Sequence, residues 1–177
     1  AATAGEYENL AEMNIDLLFT ASQKAFGVCP GLLLLWANQK TLARRATLGV
    51  IPEYYCDFDK WAPIMDDPSK YFATPAINLV WAMQESVRTI KEEGMKTRYQ
   101  RHLKNARAMQ KALEALGFTL LAAPECRAVT LSNLIYPQGV EDAKFRAVLL
   151  EEGVIVAGGL AAYAGKMFRL GHMGNID

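Results

Sequence analysis

Two short unbroken apolar runs, "NIDLLFTA" at 14–21 and "GLLLLWA" at 31–37, constrain this chain more than any other feature. Runs this short, each bounded by turn residues, suit strands buried in a sheet that is covered on both faces. Neither approaches the roughly 18 apolar residues that a membrane span requires. Between them, "TASQKAFGVCPG" at 20–31 sets Lys24 among small residues. A strongly hydrated cation in a half-buried segment is costly unless its amine is paired, deprotonated or used covalently.

The rest of the chain alternates helix and strand patterns. Residues 38–47 read as a helix capped by Asn38 and ending near Gly49. Residues 50–75 are rich in proline, aromatic and acidic residues without a helical or strand period, and read as an ordered loop, with Asp66 and Asp67 as turn and capping residues. Beyond Pro75, Val80, Met83, Val87 and Ile90 recur at helical spacing, with Thr74 as the expected cap. Gly94 interrupts this helix, and a second one follows whose apolar face is Tyr99, Leu103, Ala106, Met109, Leu113 and Leu116, stopped by Gly117. Strand-like 127–137, helix-like 140–153, and strand-like 154–158 and 166–174 complete an α/β pattern. No internal repeat or low-complexity tract breaks it.

Composition excludes several classes of function. Of 177 residues, 51% are hydrophobic and 21% charged, which is ordinary globular usage. Lysine plus arginine and aspartate plus glutamate each total 19, so no net field steers the chain toward nucleic acid or a membrane surface. The basic stretch "KTRYQRHLKNARAMQK" around His102 reads as the solvated face of a helix rather than a phosphate-binding site. His102 and His172 have no cysteine or acid at zinc-ligand spacing, so no metal site is expected. Cys29, Cys56 and Cys126 form no C-x-x-C pair, which fits a reducing, cytoplasmic setting, and Cys29 is expected to be a packed residue rather than a nucleophile. The chain opens on Ala1 without a signal-peptide pattern or a starting methionine, and is expected to be a piece of a longer protein.

A desolvated lysine can lose its proton near neutral pH and attack a carbonyl, forming the Schiff base on which pyridoxal phosphate enzymes are built. Spacing alone leaves Lys24 open between that role and an ordinary surface residue. Three blocks, in order, carry a resemblance: "DLLFTASQKAFGVCPG", "KYFATPAINLVWAMQESVRTIKEEG" and "GVIVAGGLAAYAGKMFRLGHMGN". Together they span nearly the whole chain, which resembles the pyridoxal-phosphate-dependent class V aminotransferases, the alanine-glyoxylate and serine-pyruvate group in particular.

That resemblance implies a fragment of a fold type I transferase. Residues 1–75 would be the end of the large α/β/α cofactor domain, 76–94 a connecting helix, and 95–177 the small C-terminal α/β domain without its last helix. It implies that Lys24 bonds the cofactor and shuttles a proton, that Gln23 donates to the cofactor phosphate, and that Ala2 lies against the ring. Tyr71 and Thr74 would reach the phosphate of a neighbouring subunit in a homodimer, and Arg169 would grip the substrate carboxylate with its planar fork. Gly158 and Gly159 match a glycine pair where backbones approach closely. The family's acidic partner of the pyridine nitrogen, its phosphate loop and its stacking aromatic would all precede Ala1. The implied activity is amino transfer between alanine or serine and glyoxylate or pyruvate, with this chain inactive without the N-terminal half. The alternative is a noncatalytic subunit or binding module of the same fold, since some family members are called soluble hydrogenase subunits.

Overall fold

The structure is a computed structural model that describes residues 3–176. Strands β1 (Leu17–Ala21) and β2 (Leu33–Ala37) pair antiparallel, with Leu17 opposite Ala37 and Ala21 opposite Leu33. The pleat sends Leu18, Thr20 and Leu34 to one face, against Phe26, Ile90 and Met83, while Leu17, Phe19, Leu33 and Leu35 point the other way. The expectation of strands covered on both faces is therefore corrected. Among the described residues the ladder has two strands, and its outer face leaves Phe19 66% and Leu33 64% exposed.

Helix α1 (Gln39–Ala46) starts where the sequence places it, because the Asn38 side chain accepts the Thr41 N–H at 2.9 Å. The segment 50–75, read as a loop, contains helix α2 (Phe58–Asp66) flanked by short 3₁₀ turns at Tyr54–Cys56 and Pro68–Lys70. Pro63 sits inside α2 and removes one helical donor, which hides the helix from a pattern reading. Its stability comes from tertiary contacts: Asp57 accepts the Asp59 N–H and is held by Arg45 at 2.7 Å, and Trp61 packs on Tyr55 and Phe72 with ring centroids 5.1 and 4.8 Å away. Asp67 caps the second 3₁₀ turn by accepting the Ser69 N–H, as a turn residue should, whereas Asp66 is the last residue of α2.

Helix α3 (Ile77–Glu93) begins later than expected. Its cap position is Ala76, whose ψ of 74° is not helical and which makes no side-chain cap bond, so Thr74 caps nothing. Gly94 takes φ of +80° and joins α3 to α4 (Met95–Ala115), and Gly117 at φ of +90° ends α4. The buried stripe of α4 is another correction. Arg98, His102, Ala106 and Gln110 are buried at four-residue spacing, while Leu116 is 71% exposed and Met109 half-exposed.

The second sheet runs in the order β3 (Thr119–Leu120), β4 (Leu131–Ile135), β6 (Met167–Gly171), β5 (Ala157–Gly158), with antiparallel neighbours throughout. The strands expected over 127–137 and 154–158 are shorter than their apolar patterns. Helix α5 (Asp142–Glu151) covers the sheet, and Leu120, Leu134 and Phe168 form the core with Phe118, Tyr136 and Phe145 around them. Of the glycine pair, only position 159 is sterically obligatory: a Cβ there would lie 2.1 Å from the Tyr163 carbonyl oxygen, while one at 158 would meet Arg146 at an ordinary 3.6 Å. Gly159→Ala is expected to destabilise the chain by about 2 kcal/mol or more, and Gly158→Ala by clearly less. Urea unfolding of the two variants checks this; equal losses would contradict it.

Candidate active site

Lys24 lies in a tight turn just past the end of β1. The turn forms because Ser22, fully buried, ties its two limbs together. The Ser22 Oγ–H donates to the Cys29 carbonyl at 2.7 Å, and the same oxygen accepts the Leu32 N–H at 3.3 Å. Backbone bonds Lys24 N–H to Ala21 O (3.1 Å), Gly27 N–H to Lys24 O (2.9 Å) and Val28 N–H to Ser22 O (3.0 Å) close it. Gly27, at φ of +70°, supplies the left-handed step. Cys29, expected to be packed, is exposed because only its backbone enters this network.

Within this rigid frame Lys24 is half-buried and Gln23 exposed, and neither side chain has a hydrogen-bond or ion-pair partner among the described residues. An amine and an amide, adjacent and uncommitted, are the donor chemistry that an aldehyde- and phosphate-bearing cofactor such as pyridoxal phosphate needs. The residues present therefore fit the group. Ala2, expected against its ring, lies outside the described residues.

Arg169 lies on β6, opposite Asn133 of β4 and Ala157 of β5. Its Nε–H donates to the Gly158 carbonyl at 2.9 Å, which orients the fork. Its two terminal nitrogens have no partner among the described residues. The chain then returns from β6 to the lysine turn: the Gly174 N–H donates to His102 Nε2 at 3.0 Å, and a Cβ built on Gly174 would lie 3.8 Å from the Ala25 carbonyl oxygen and 3.9 Å from Gly27 Cα. The segment following Arg169 thus rests on the turn that carries Lys24. Tyr71 and Thr74 are exposed, and among the described residues no hydrogen bond links them to that turn.

Sequence reasoning missed the buried cluster beneath the turn. Arg98, with no exposed surface, donates from Nε to Ala4 O at 2.8 Å, from Nη2 to Ala25 O at 2.7 Å, and from Nη1 to Glu93 at 2.7 Å and Asn175 at 3.1 Å. Arg101 also clasps Glu93, at 2.6 Å. The Arg101 hydrogen bond foremost, with that of Arg98, holds the Glu93 carboxyl at about 2 against the opposing effect of burial. Ser86 on α3 donates to Phe26 O at 2.6 Å. The four-residue spacing of Arg98, His102, Ala106 and Gln110 was the available signal. An apolar cleft of about 790 Å³, lined by Leu18, Phe26, Trp36, Ile90, Met95 and Tyr99 among others, holds none of the candidate residues.

No helix among the described residues is long and apolar enough to cross a membrane. Residues 2–174 match the family model described as Aminotransferase class-V. An uncharacterized aminotransferase of Methanocaldococcus jannaschii is 34% identical over 175 residues, covering 98% of this chain and 46% of its own length. A protein of a Synechococcus species named as the small subunit of a soluble hydrogenase is 30% identical, over 92% of this chain and 42% of its own. The crystal structure of an alanine–glyoxylate aminotransferase from a Nostoc species superposes with a TM-score of 0.91 at 30% identity, over 98% of this chain and 47% of that one. The chain therefore spans about half the length of the curated relatives it matches. With a matching family model from residue 2 to residue 174 and this fold, the chain belongs to the class-V aminotransferases.

Proposed function

We propose that Lys24 is the cofactor-bearing lysine of a pyridoxal-phosphate-dependent aminotransferase that moves an amino group between alanine or serine and glyoxylate or pyruvate. The observation that carries this reading is the uncommitted Lys24 amine held in a turn with every limb hydrogen-bonded. When bound, pyridoxal phosphate supplies an aldehyde for amine exchange and a ring that withdraws electrons. Lys24 Nζ, when neutral, takes the proton from the substrate α-carbon and returns it, which demands fixed geometry. Gln23 donates its amide to the phosphate without adding charge. Arg169 holds the substrate α-carboxylate between its two free terminal nitrogens, a bidentate grip that lysine cannot copy.

In the same reading the whole protein is a cytoplasmic homodimer in which Tyr71 and Thr74 serve the neighbouring subunit's phosphate. Residues 1–75, 76–94 and 95–177 divide between a cofactor domain, a connecting helix and a small domain. A phosphate and a ring nitrogen each need charge-assisted partners, and the turn presents one amide and one amine. The 177 residues alone are therefore expected to hold the cofactor weakly and to show no transamination.

The test is reduction with borohydride after incubation with pyridoxal phosphate, followed by peptide mass mapping. Label concentrated on Lys24, and lost in Lys24→Ala, is expected. Label spread without preference over surface lysines would remove Lys24 from the role and favour the second reading, a noncatalytic subunit of this fold, which the Synechococcus relative's name supports.

A further inference from the structure

Three successive carbonyls at the lysine turn are each held by a different donor. Lys24 O accepts from the Gly27 N–H, Ala25 O from Arg98 Nη2, and Phe26 O from the Ser86 hydroxyl. The first is local. The other two come from separate helices, 73 and 60 residues away in the chain. A serine inside a helix ordinarily bonds the carbonyl four residues back or faces water, yet Ser86 reaches out of α3 to the turn. Arg98 also donates to Ala4, Glu93 and Asn175, so one buried guanidinium joins the lysine turn to the segment that follows Arg169.

We infer that Ser86 and Arg98 are positioning residues for Lys24: they clamp the carbonyls of Ala25 and Phe26 and so fix where the lysine amine stands relative to the segment that follows the strand carrying Arg169. Neither contacts the cofactor or substrate in this assignment. An amine that is both covalent anchor and proton carrier must return to the same place after each displacement, and side chains locked by their surroundings keep that tolerance to about 0.5 Å. Two helices joined at Gly94 supply the two clamps, Ser86 from α3 and Arg98 from α4.

This inference rests on the proposed role of Lys24, and its test separates the two. In Ser86→Ala, deuterium exchange at the Gly27 and Val28 amides is expected to rise about fivefold, the equivalent of one lost hydrogen bond, with exchange across Leu131–Ile135 and Met167–Gly171 unchanged. The share of borohydride-trapped pyridoxal phosphate found on Lys24 should fall at the same time. Ser86→Thr keeps the hydroxyl and should restore both readouts, which a general loosening of the fold would not. Arg98→Lys keeps the charge without the fork and should loosen the turn further; where that variant does not fold, the Ser86 pair decides. Unchanged exchange at residues 24–28 in Ser86→Ala, or a rise shared equally by both sheets, overturns the clamp. Where the unsubstituted chain shows no preference for trapping at Lys24, the cofactor role fails, and the exchange data alone judge the clamp.

Discussion

Arg98→Met is expected to lower the unfolding free energy by about 3–5 kcal/mol, the range for breaking one side of a buried, hydrogen-bonded ion pair. The side chain has no exposed surface, and its removal strips donors from two backbone carbonyls, Ala4 and Ala25, and from Glu93 and Asn175. Glu93 would keep only Arg101. By contrast, Arg88 also pairs with two carboxylates, Glu85 and Glu92, but on the exposed face of α3, where screening and side-chain entropy cancel most of the gain. Arg88→Met should leave stability nearly unchanged. Urea unfolding at neutral pH measures both, and similar losses in the two variants would refute the distinction. The pH response follows from the same cluster. Because the folded state holds Glu93 at about 2, below its ordinary 4.5, its stabilising contribution is complete above pH 4.5 and is lost as pH falls through about 2. In Arg98→Met that acid-side loss should shrink.

The parts of this fold that were legible in the sequence are those whose chemistry is local. Asn38 caps its own helix, and Gly94 and Gly117 stop theirs through backbone angles that glycine tolerates. What escaped depends on partners distant in the chain. Helix α2 carries an internal proline and survives through an aromatic cluster assembled from Tyr54, Tyr55, Trp61 and Phe72. The basic stretch of α4 reads as a solvated face, yet Arg98 and His102 are buried because Ala25 O and the Gly174 N–H meet them there. The site divides in the same way. Lys24, Gln23 and Arg169 stand out as residue types in a recognisable order, whereas their uncommitted nitrogens, and the clamps from Ser86 and Arg98, exist only once the chain is folded. The outer face of the β1–β2 ladder shows the opposite limit. Its apolar pattern calls for a cover that the described residues do not provide.

Acidification from pH 7.5 to 5.5 is expected to destabilise the chain through two histidines well before Glu93 responds. His102 is 1% exposed and His172 4%. A backbone N–H can only donate, so the Gly174 N–H requires a lone pair on His102 Nε2, which puts the proton on Nδ1, donating to Arg98 O at 2.8 Å. At His172, Nδ1–H donates to Val129 O at 3.1 Å, and Nε2 lies 2.9 Å from the Ser132 hydroxyl, which donates to it when the ring is neutral and whose oxygen takes the Gln110 amide N–H at 3.2 Å. His102 is therefore neutral, and burial, the largest influence on both rings, pushes each pKa below the ordinary 6.5 and so favours the neutral form of His172 as well; Arg101 and Arg98 add to this at His102, and His102 adds to it at His172. In the unfolded chain both rings take up protons as pH falls below 6.5, while the folded chain resists. Stability is thus complete above pH 6.5 and declines below it, at up to about 1.4 kcal/mol per pH unit for each histidine until the folded ring itself titrates. Protonation of His102 would also turn its acceptor nitrogen into a donor facing the Gly174 N–H, freeing the segment that lies on the Lys24 turn. Urea midpoints at pH 7.5, 6.5 and 5.5 should trace this decline, and His172→Gln or His102→Gln should each remove about half of the slope. A midpoint that stays constant across that range would show that the two rings take up protons equally in the folded and unfolded chain, and a midpoint that rises on acidification would show that they are charged in the fold; either outcome contradicts the lowering by burial.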